Sequence, residues 1–221
     1  MIPIKKGETP QVLIDYKRNK NANYDDFPGK SEVAVSLIKE QYGLCAYCMS
    51  RISNEIEYKD AFRQNHCKIE HFKSQTKYPG LQLDYKNMLG CCSGNEGQPK
   101  KYQTCDSFKG DMDLLFNPSN ENDCKKMDIK FYKDGTIHSE NSKFDVQLNT
   151  VLNLNAPHLV SSRKSLLDAA FRVLNKSKGT RTSKEIQHLI EKYSVLENGL
   201  HKPYYYVVVY YLQKHLRRYS K

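Results

Sequence analysis

The sequence lacks any apolar stretch that could cross a membrane, because its longest apolar run is the three valines at 207–209, flanked by tyrosines. A helix that spans a bilayer needs about 20 such residues. The opening residues "MIPIKKGETPQ" also lack the apolar core of a secretory signal peptide. We therefore expect a cytoplasmic protein with no membrane partner.

Hydrophobic residues are also scarce, at 38% of the 221 residues, whereas charged residues make up 27%. This composition suffices for a modest core in one domain, with a flank that can order on a partner. Lysine and arginine outnumber aspartate and glutamate by ten. Such an excess favours a polyanionic partner, because neutralising phosphates releases counterions. General solubility is the alternative explanation of the charge.

The final segment, residues 201–221, has no Asp or Glu and contains five of the basic residues. Six tyrosines are interleaved with these charges. Tyrosine rings can stack on nucleic-acid bases or fill a protein interface, and composition does not choose between the two.

Seven cysteines in a chain expected to be cytoplasmic argue against a disulfide framework and for a metal site or catalysis. Cys45 and Cys48 form a C-x2-C pair, whose thiolates can reach one tetrahedral Zn²⁺ that then needs two more ligands. A redox pair is the alternative. Cys105 can supply one further ligand and either Cys91 or Cys92 the other, since neighbouring residues of a strand face opposite sides.

The stretch "KIEH" and a later asparagine supply three groups suited to phosphodiester hydrolysis. A neutral imidazole such as that of His71 can take a proton from water at physiological pH. The carboxylate of Glu70 and the carbonyl oxygen of Asn87 are hard ligands of the kind that Mg²⁺ or Mn²⁺ prefers. Each residue alone would be unremarkable, but the three lie between the cysteine pairs.

The patterning predicts the elements that carry these residues. A helix is expected from Ser31, its N-cap, to Gly43, directly before Cys45. Residues 67–72 and 84–89 read as paired strands, and a helix begins near Cys105, which gives a ββα unit.

Outside this unit, the first 30 residues read as irregular. A hairpin is expected over 127–140 with its turn at Asp134-Gly135. Two amphipathic helices follow over 159–175 and 182–199, the second ended by Asn198-Gly199. The tail is read as a helix.

These residues together resemble an HNH endonuclease of the zinc-bound ββα-metal type. That family's pattern is C-x2-C, Asp/Glu-His, Asn and Cys…Cys, closing with His, Asn or Asp at the head of a helix. Its third cysteine stands five residues after the Asn, which selects Cys92. The last position falls on Asp106 in "TCDSFKGD". The resemblance implies an α+β fold, with a ββα-metal core stabilised by structural zinc and flanking, mainly α-helical regions.

The motifs "CAYCMSRI", "KIEHFKSQ" and "LDYKNMLGCCSGNEG" look like the branch that includes the PtuB nucleases of Septu anti-phage defence. That branch implies a nucleic-acid substrate and a PtuA-like ABC-type ATPase partner. In retron-linked systems it also implies a reverse transcriptase with its DNA–RNA product. The chain departs from the branch in having Asp106 instead of the commoner His or Asn, and in its long insert before Cys105.

Transferred to this sequence, the resemblance makes His71 the general base, and Glu70 and Asn87 ligands of a catalytic Mg²⁺ or Mn²⁺. Asp106 becomes a secondary ligand or an orienter of His71, or a helix cap. The resemblance also implies that Cys45, Cys48, Cys92 and Cys105 bind the structural zinc.

The implied organisation has three parts. An N-terminal arm and helix occupy 1–43, the nuclease core 44–116, and a hairpin with a helical partner-binding region 117–221. Two other functions fit parts of the pattern: a zinc-finger-like module that binds nucleic acid or protein without catalysis, and a redox protein using Cys45 and Cys48.

Overall fold

A computed structural model describes residues 1–53, 66–175 and 182–219 of the chain. Within these ranges it is a mixed α/β structure with eight α-helices and two small two-stranded sheets. The helices are α1 Gln11–Tyr16, α2 Lys30–Glu40, α3 Cys105–Lys109, α4 Glu121–Met127, α5 Ser142–Thr150, α6 Pro157–Leu174, α7 Ser183–Ser194 and α8 Tyr205–Tyr219. The strands are β1 Lys68–His71, β2 Met88–Cys91, β3 Ile129–Phe131 and β4 Ile137–Ser139.

Strands β1 and β2 pair antiparallel, and α3 is the next regular α-helix along the chain, so the expected order of strand, strand and helix is present. The second strand, however, begins at Met88 rather than at Asp84. Residues 84–87 form a turn, in which the Asp84 side chain accepts a hydrogen bond of 3.0 Å from the Lys86 N–H. Asp and Asn favour such local side-chain bonds over a strand ladder.

Helix α2 is the predicted helix before the first cysteine pair, although its N-cap is Gly29 rather than Ser31. It packs on both β1 and β2. The buried side chain of Gln41, just after the helix, accepts from the Gly90 N–H at 2.7 Å and donates to the carbonyls of Gly90 and Leu44 at 2.8 and 2.7 Å. This amide therefore fastens the end of the helix to the centre of β2.

The prediction that the first 30 residues are irregular is wrong for α1, whose Leu13 is fully buried. Two further helices, α4 and α5, were not individually predicted from the sequence, because they are short and mostly polar. Each begins at an asparagine whose side chain accepts from the helix backbone, Asn120 in α4 and Asn141 in α5. Such an N-cap stabilises the start of a helix even where the sequence shows little apolar periodicity.

The predicted hairpin and the long helix after it are confirmed as β3–β4 and α6. The tail is also confirmed as a helix, α8. Helix α7 ends at Ser194, earlier than expected. Asn198 and Gly199 instead form a separate turn, which is closed by an antiparallel β-bridge between Glu197 and Leu200. Both turn residues have positive φ, of 53° and 79°, which Asn and Gly adopt readily.

Five tyrosines of the basic tail are partly buried and pack against the hydrophobic core: Tyr204, Tyr205, Tyr206, Tyr210 and Tyr211. The Tyr205 ring stacks on His201, and the Tyr211 hydroxyl donates to the Phe131 carbonyl at 2.8 Å. The Tyr210 ring meets the Phe131 ring edge to face. In this structure the rings therefore contribute to intramolecular packing between α8 and its neighbours.

One hydrophobic cluster joins side chains from all three predicted segments, among them Ile4, Leu44, Leu89, Leu167 and Val207. The division at residues 43 and 116 stays a prediction. In the parts of the chain that the structure describes, no helix is both long and apolar enough to cross a membrane.

Replacing Gln41 with alanine should lower the free energy of unfolding by about 3 kcal/mol, because it removes three buried hydrogen bonds and leaves the Gly90 N–H without its partner. Urea unfolding followed by circular dichroism measures this change. The matched control is Gln187→Ala, an exposed glutamine of α7, which should change stability by less than about 0.5 kcal/mol. Equal stability of the two variants would contradict the anchoring role.

Candidate metal and nuclease site

A tight turn after α2 presents the first two cysteines of the candidate metal centre. Leu44 and Arg51 form an antiparallel bridge at its base, and the Cys45 N–H donates to the Ser50 carbonyl at 2.9 Å. The Ser50 N–H in turn donates to Cys48 Sγ at 3.4 Å. Both thiols are thus placed by backbone hydrogen bonds of the turn.

The other two cysteines stand on either side of the long Gly- and Pro-containing insert. Cys92 follows β2 directly, and Cys105 is the first residue of α3. The neck of the insert is closed by a hydrogen bond of 2.9 Å from the Thr104 N–H to the Gly94 carbonyl. A Cβ at Gly94 would overlap the Thr104 carbonyl oxygen, so glycine permits the close approach that returns the chain to the cluster.

The four sulfurs form a compact, buried group in which all ligand atoms lie within 4.8 Å of one another. Cys45 Sγ is 3.8 Å from Cys105 Sγ, and Cys48 Sγ is 3.7 Å from Cys92 Sγ. Tetrahedral Zn–S bonds of about 2.3 Å place sulfurs about 3.8 Å apart. The four cysteines can therefore hold a metal ion such as zinc.

All seven cysteines carry free thiols, but their surroundings differ. Within the cluster, hydrogen bonds, first that with Cys105, hold the pKa of Cys48 well below its ordinary value, whereas the pKa values of Cys45, Cys92 and Cys105 lie well above theirs. Burial also raises the pKa of both Cys67 and Cys91 to about 12. Cys91 lies in β2 and is not one of the four clustered residues.

Glu70 lies on β1 with its side chain directed into the protein, and the residue is only 3% exposed. Its Oε1 atom accepts from the Tyr47 hydroxyl at 3.0 Å and pairs with the Lys109 ammonium at 2.8 Å. Burial, reinforced by the adjoining Asp106 carboxyl, raises the pKa of Glu70 well above its ordinary value, against the opposing effect of Lys109. A divalent cation would relieve the repulsion between the two carboxylates.

Asp106 stands on the first turn of α3, beside Glu70. Its Oδ2 pairs with Lys68 Nζ at 2.8 Å, and its side chain is 18% exposed. Burial alone would raise the pKa of Asp106, but hydrogen bonding with Glu70 and the charges of Lys68 and Lys109 outweigh that effect and lower it. Two carboxylates therefore meet, with Asp106 on the more exposed side.

His71 follows Glu70 on β1 and is 5% exposed. Its Nε2 lies 2.8 Å from the Gln82 carbonyl oxygen, which can only accept, so Nε2 carries the proton and Nδ1 has the free lone pair. The Tyr24 ring meets the imidazole edge on, with centroids 4.4 Å apart. Burial lowers the pKa of His71, so the imidazole is neutral at physiological pH and able to accept a proton.

The Asn87 side chain is also buried, but its amide is engaged within the loop that follows β1. Oδ1 accepts from the Lys73 N–H at 2.8 Å, and Nδ2 donates to the carbonyls of Lys73 and Leu81 at 2.9 and 3.2 Å. The same loop carries Gln82, the partner of His71. The structure thus brings Glu70 and Asp106 together and places His71 within reach of the Asp106 charge, while Asn87 fixes the loop that carries Gln82.

Three site residues were not identified from the sequence: Tyr47, Lys68 and Lys109. Lys109 is fully buried and also donates to the carbonyls of His71 and Gly110, each at 3.3 Å. One signal for Lys109 was available, because it stands three residues after Asp106 and so shares a face of α3. Tyr47 gives no signal, because it meets Glu70 only through the tertiary fold.

The comparisons with known proteins found no matching family model. Over 198 residues the chain is 25% identical to "Retron Vc95 putative HNH endonuclease" of Vibrio cholerae serotype O1 biovar El Tor, covering 82% of this chain and 89% of that protein. Over 127 residues it is 27% identical to "Septu protein PtuB" of Bacillus thuringiensis, covering 54% of this chain and 42% of that protein.

The printed name of the retron relative agrees with the HNH nuclease that the sequence motifs suggested, and the identity is modest for both relatives. The chain therefore resembles the HNH nucleases, and among them PtuB.

Proposed function

We propose that the protein is a metal-dependent HNH endonuclease that hydrolyses phosphodiester bonds of nucleic acid. The observation that carries the proposal is the meeting of two carboxyl groups, Glu70 and Asp106, with the neutral imidazole of His71 within reach of the Asp106 charge. Similarity to a retron-associated and a Septu protein supports the same reaction class.

Glu70 and Asp106 would hold one divalent ion, Mg²⁺ or Mn²⁺, which supplies positive charge for the phosphate and the leaving oxygen. The donor set suits such an ion, because Mg²⁺ is usually bound by one or two carboxylates while water and phosphate complete its shell. Asp106 offers the accessible side of the pair. Asn87 was the expected second ligand; its Oδ1 accepts one backbone hydrogen bond and keeps one lone pair, and because its amide nitrogen also bonds two loop carbonyls, we assign it chiefly to fixing the loop.

His71 acts as the general base of the proposed reaction. Its Nδ1 takes the proton of the attacking water, while the Nε2–H bond to the Gln82 carbonyl keeps the ring in this tautomer and orientation. Asn87 contributes indirectly, because it fixes the loop that presents Gln82.

The cysteine cluster is proposed to bind one structural zinc through a residue set that spans the core: Cys45, Cys48, Cys92 and Cys105. A site with four protein ligands is closed and leaves no position for substrate, which suits a structural role. Hydrolysis would then depend on the second, carboxylate-bound ion.

The names of the two relatives, a retron protein and a Septu protein, also suggest the biological system in which the proposed nuclease acts. We propose that the chain acts in anti-phage defence with a PtuA-like ABC-type ATPase. In a retron-linked system, a reverse transcriptase with its DNA–RNA product would join the assembly. Residues 117–221 are not needed for the proposed reaction, and we propose that they dock the partner. The net charge of +10 suits a nucleic-acid substrate.

Replacing His71 with alanine should reduce cleavage by at least about 100-fold, because it removes the general base. The assay offers plasmid, single-stranded DNA and total cellular RNA with Mg²⁺ or Mn²⁺, with and without the co-expressed ATPase. The control is His66→Ala, an exposed histidine just before β1, which should cut like the wild type.

The pattern of cutting across the three substrates would identify the nucleic acid. Absence of cutting in every arm, despite bound metal, would contradict the nuclease and favour a binding module without catalysis. Equal loss in the two histidine variants would argue against His71 as the base.

Protein purified without chelator should contain about one zinc per chain, as measured by inductively coupled plasma mass spectrometry. Cys92→Ser should lose most of this zinc, because it removes one of four ligands. Cys91→Ser is the matched control, a neighbouring buried cysteine outside the cluster, and should retain it. A metal-free wild type, or zinc lost from the control and kept by Cys92→Ser, would contradict the ligand assignment.

A further inference from the structure

Tyr47 lies between the two cysteines of the C-x2-C turn, and its side chain is fully buried. Its hydroxyl donates to Glu70 Oε1 at 3.0 Å. Tyr47 is thus part of the turn that carries two cysteines of the cluster, and its hydroxyl contacts the carboxylate proposed to bind the catalytic metal. The proposed reaction does not account for this contact.

The contact fixes which oxygen of Glu70 is available. Oε1 already receives two donors, the Tyr47 hydroxyl and the Lys109 ammonium, which occupy both of its lone pairs. The ammonium is held in place by the carbonyls of His71 and Gly110. With Oε1 occupied, Oε2 is the oxygen left for Asp106 and for a divalent ion between them.

The position of Tyr47 is set by the cysteine turn itself. Cys45 and Cys48 on either side of it join the sulfur cluster, and the neighbouring Ala46 N–H donates to the Gly90 carbonyl at 3.0 Å. The ring therefore has little freedom to move while the cluster is closed. Its hydroxyl keeps a fixed direction toward β1.

We propose that Tyr47 is a positioning residue that couples the cysteine cluster to the Glu70–Asp106 metal site. The inference rests on the proposed function, because it assumes that these carboxylates bind a divalent ion. It gives the cluster a second role beside holding the fold, which is to orient one oxygen of Glu70 through the tyrosine hydroxyl.

The test is direct Mn²⁺ binding to the zinc-loaded full chain, measured by the electron paramagnetic resonance signal of free Mn²⁺. Tyr47→Phe keeps the ring and removes the hydroxyl, and should weaken Mn²⁺ binding about ten-fold while zinc content stays at the wild-type level. Tyr85→Phe is the matched control. Tyr85 is equally buried, and its hydroxyl donates to Glu40 Oε2 at 3.0 Å, outside the site.

A second measurement separates positioning from packing. If Tyr47 orients Glu70, the Tyr47→Phe chain should need about ten-fold more Mn²⁺ for half-maximal cleavage and should recover near wild-type cutting at saturating Mn²⁺. A residue that only fills the core would lower cutting at every Mn²⁺ concentration. That result, or zinc lost from Tyr47→Phe but not from Tyr85→Phe, would overturn the proposal.

The two hypotheses fail in different ways. A wild-type chain that contains zinc but binds no Mn²⁺ removes the proposed catalytic site and, with it, the coupling. Wild-type Mn²⁺ binding that is unchanged in Tyr47→Phe overturns only the role of Tyr47 and leaves the nuclease proposal standing.

Discussion

Closure of the four-cysteine cluster is the constraint on which the rest of the site depends. Cys48 and Cys92 are 44 positions apart in the chain, and Cys45 and Cys105 are 60 apart, yet each pair of sulfurs lies within 4 Å. Bringing such distant segments together costs conformational entropy, and a metal ion held by the four cysteines would offset that cost in the folded state. Glu70 and His71 lie between these segments, so their placement follows from the closure.

Much of the fold follows from hydrophobic periodicity, and the exceptions have local causes. Helix α6 and strands β3 and β4 could be predicted from the sequence, because each element buries one side and so shows a regular apolar pattern. Residues 84–87 were predicted as the start of a strand but form a turn, because the Asp84 side chain satisfies the Lys86 N–H there. Periodicity does not report such local hydrogen bonds, and it gave no sign of α1, α4 or α5.

The candidate site was predictable to the extent that it depends on residue types in a fixed order. The cysteines, Glu70, His71 and Asp106 were found in this way. The ligand role predicted for Asn87 depended on chemistry alone, whereas its hydrogen bonds to Lys73 and Leu81 depend on how the loop folds back. Tyr47 was hidden for the same reason, since a tertiary contact across 23 positions leaves no spacing signal.

Two lysines, the buried Lys109 and the partly exposed Lys68, each pair with one of the two adjoining acidic side chains. Two buried like charges would disfavour ionisation of at least one of them. Lys109 pairs with Glu70 at 2.8 Å and Lys68 pairs with Asp106 at 2.8 Å, so each carboxylate has its own counter-charge.

The two lysines are not equivalent. Lys109 is fully buried and saturates its three N–H donors with Glu70 and two backbone carbonyls, so it is a fixed part of the protein. The Lys68 side chain is 25% exposed and is shared with Glu96 and Ser107, so water can reach its pairing with Asp106. A divalent cation at the proposed site would therefore meet less competition at Asp106 than at Glu70 Oε1, which favours the outer side of the carboxylate pair.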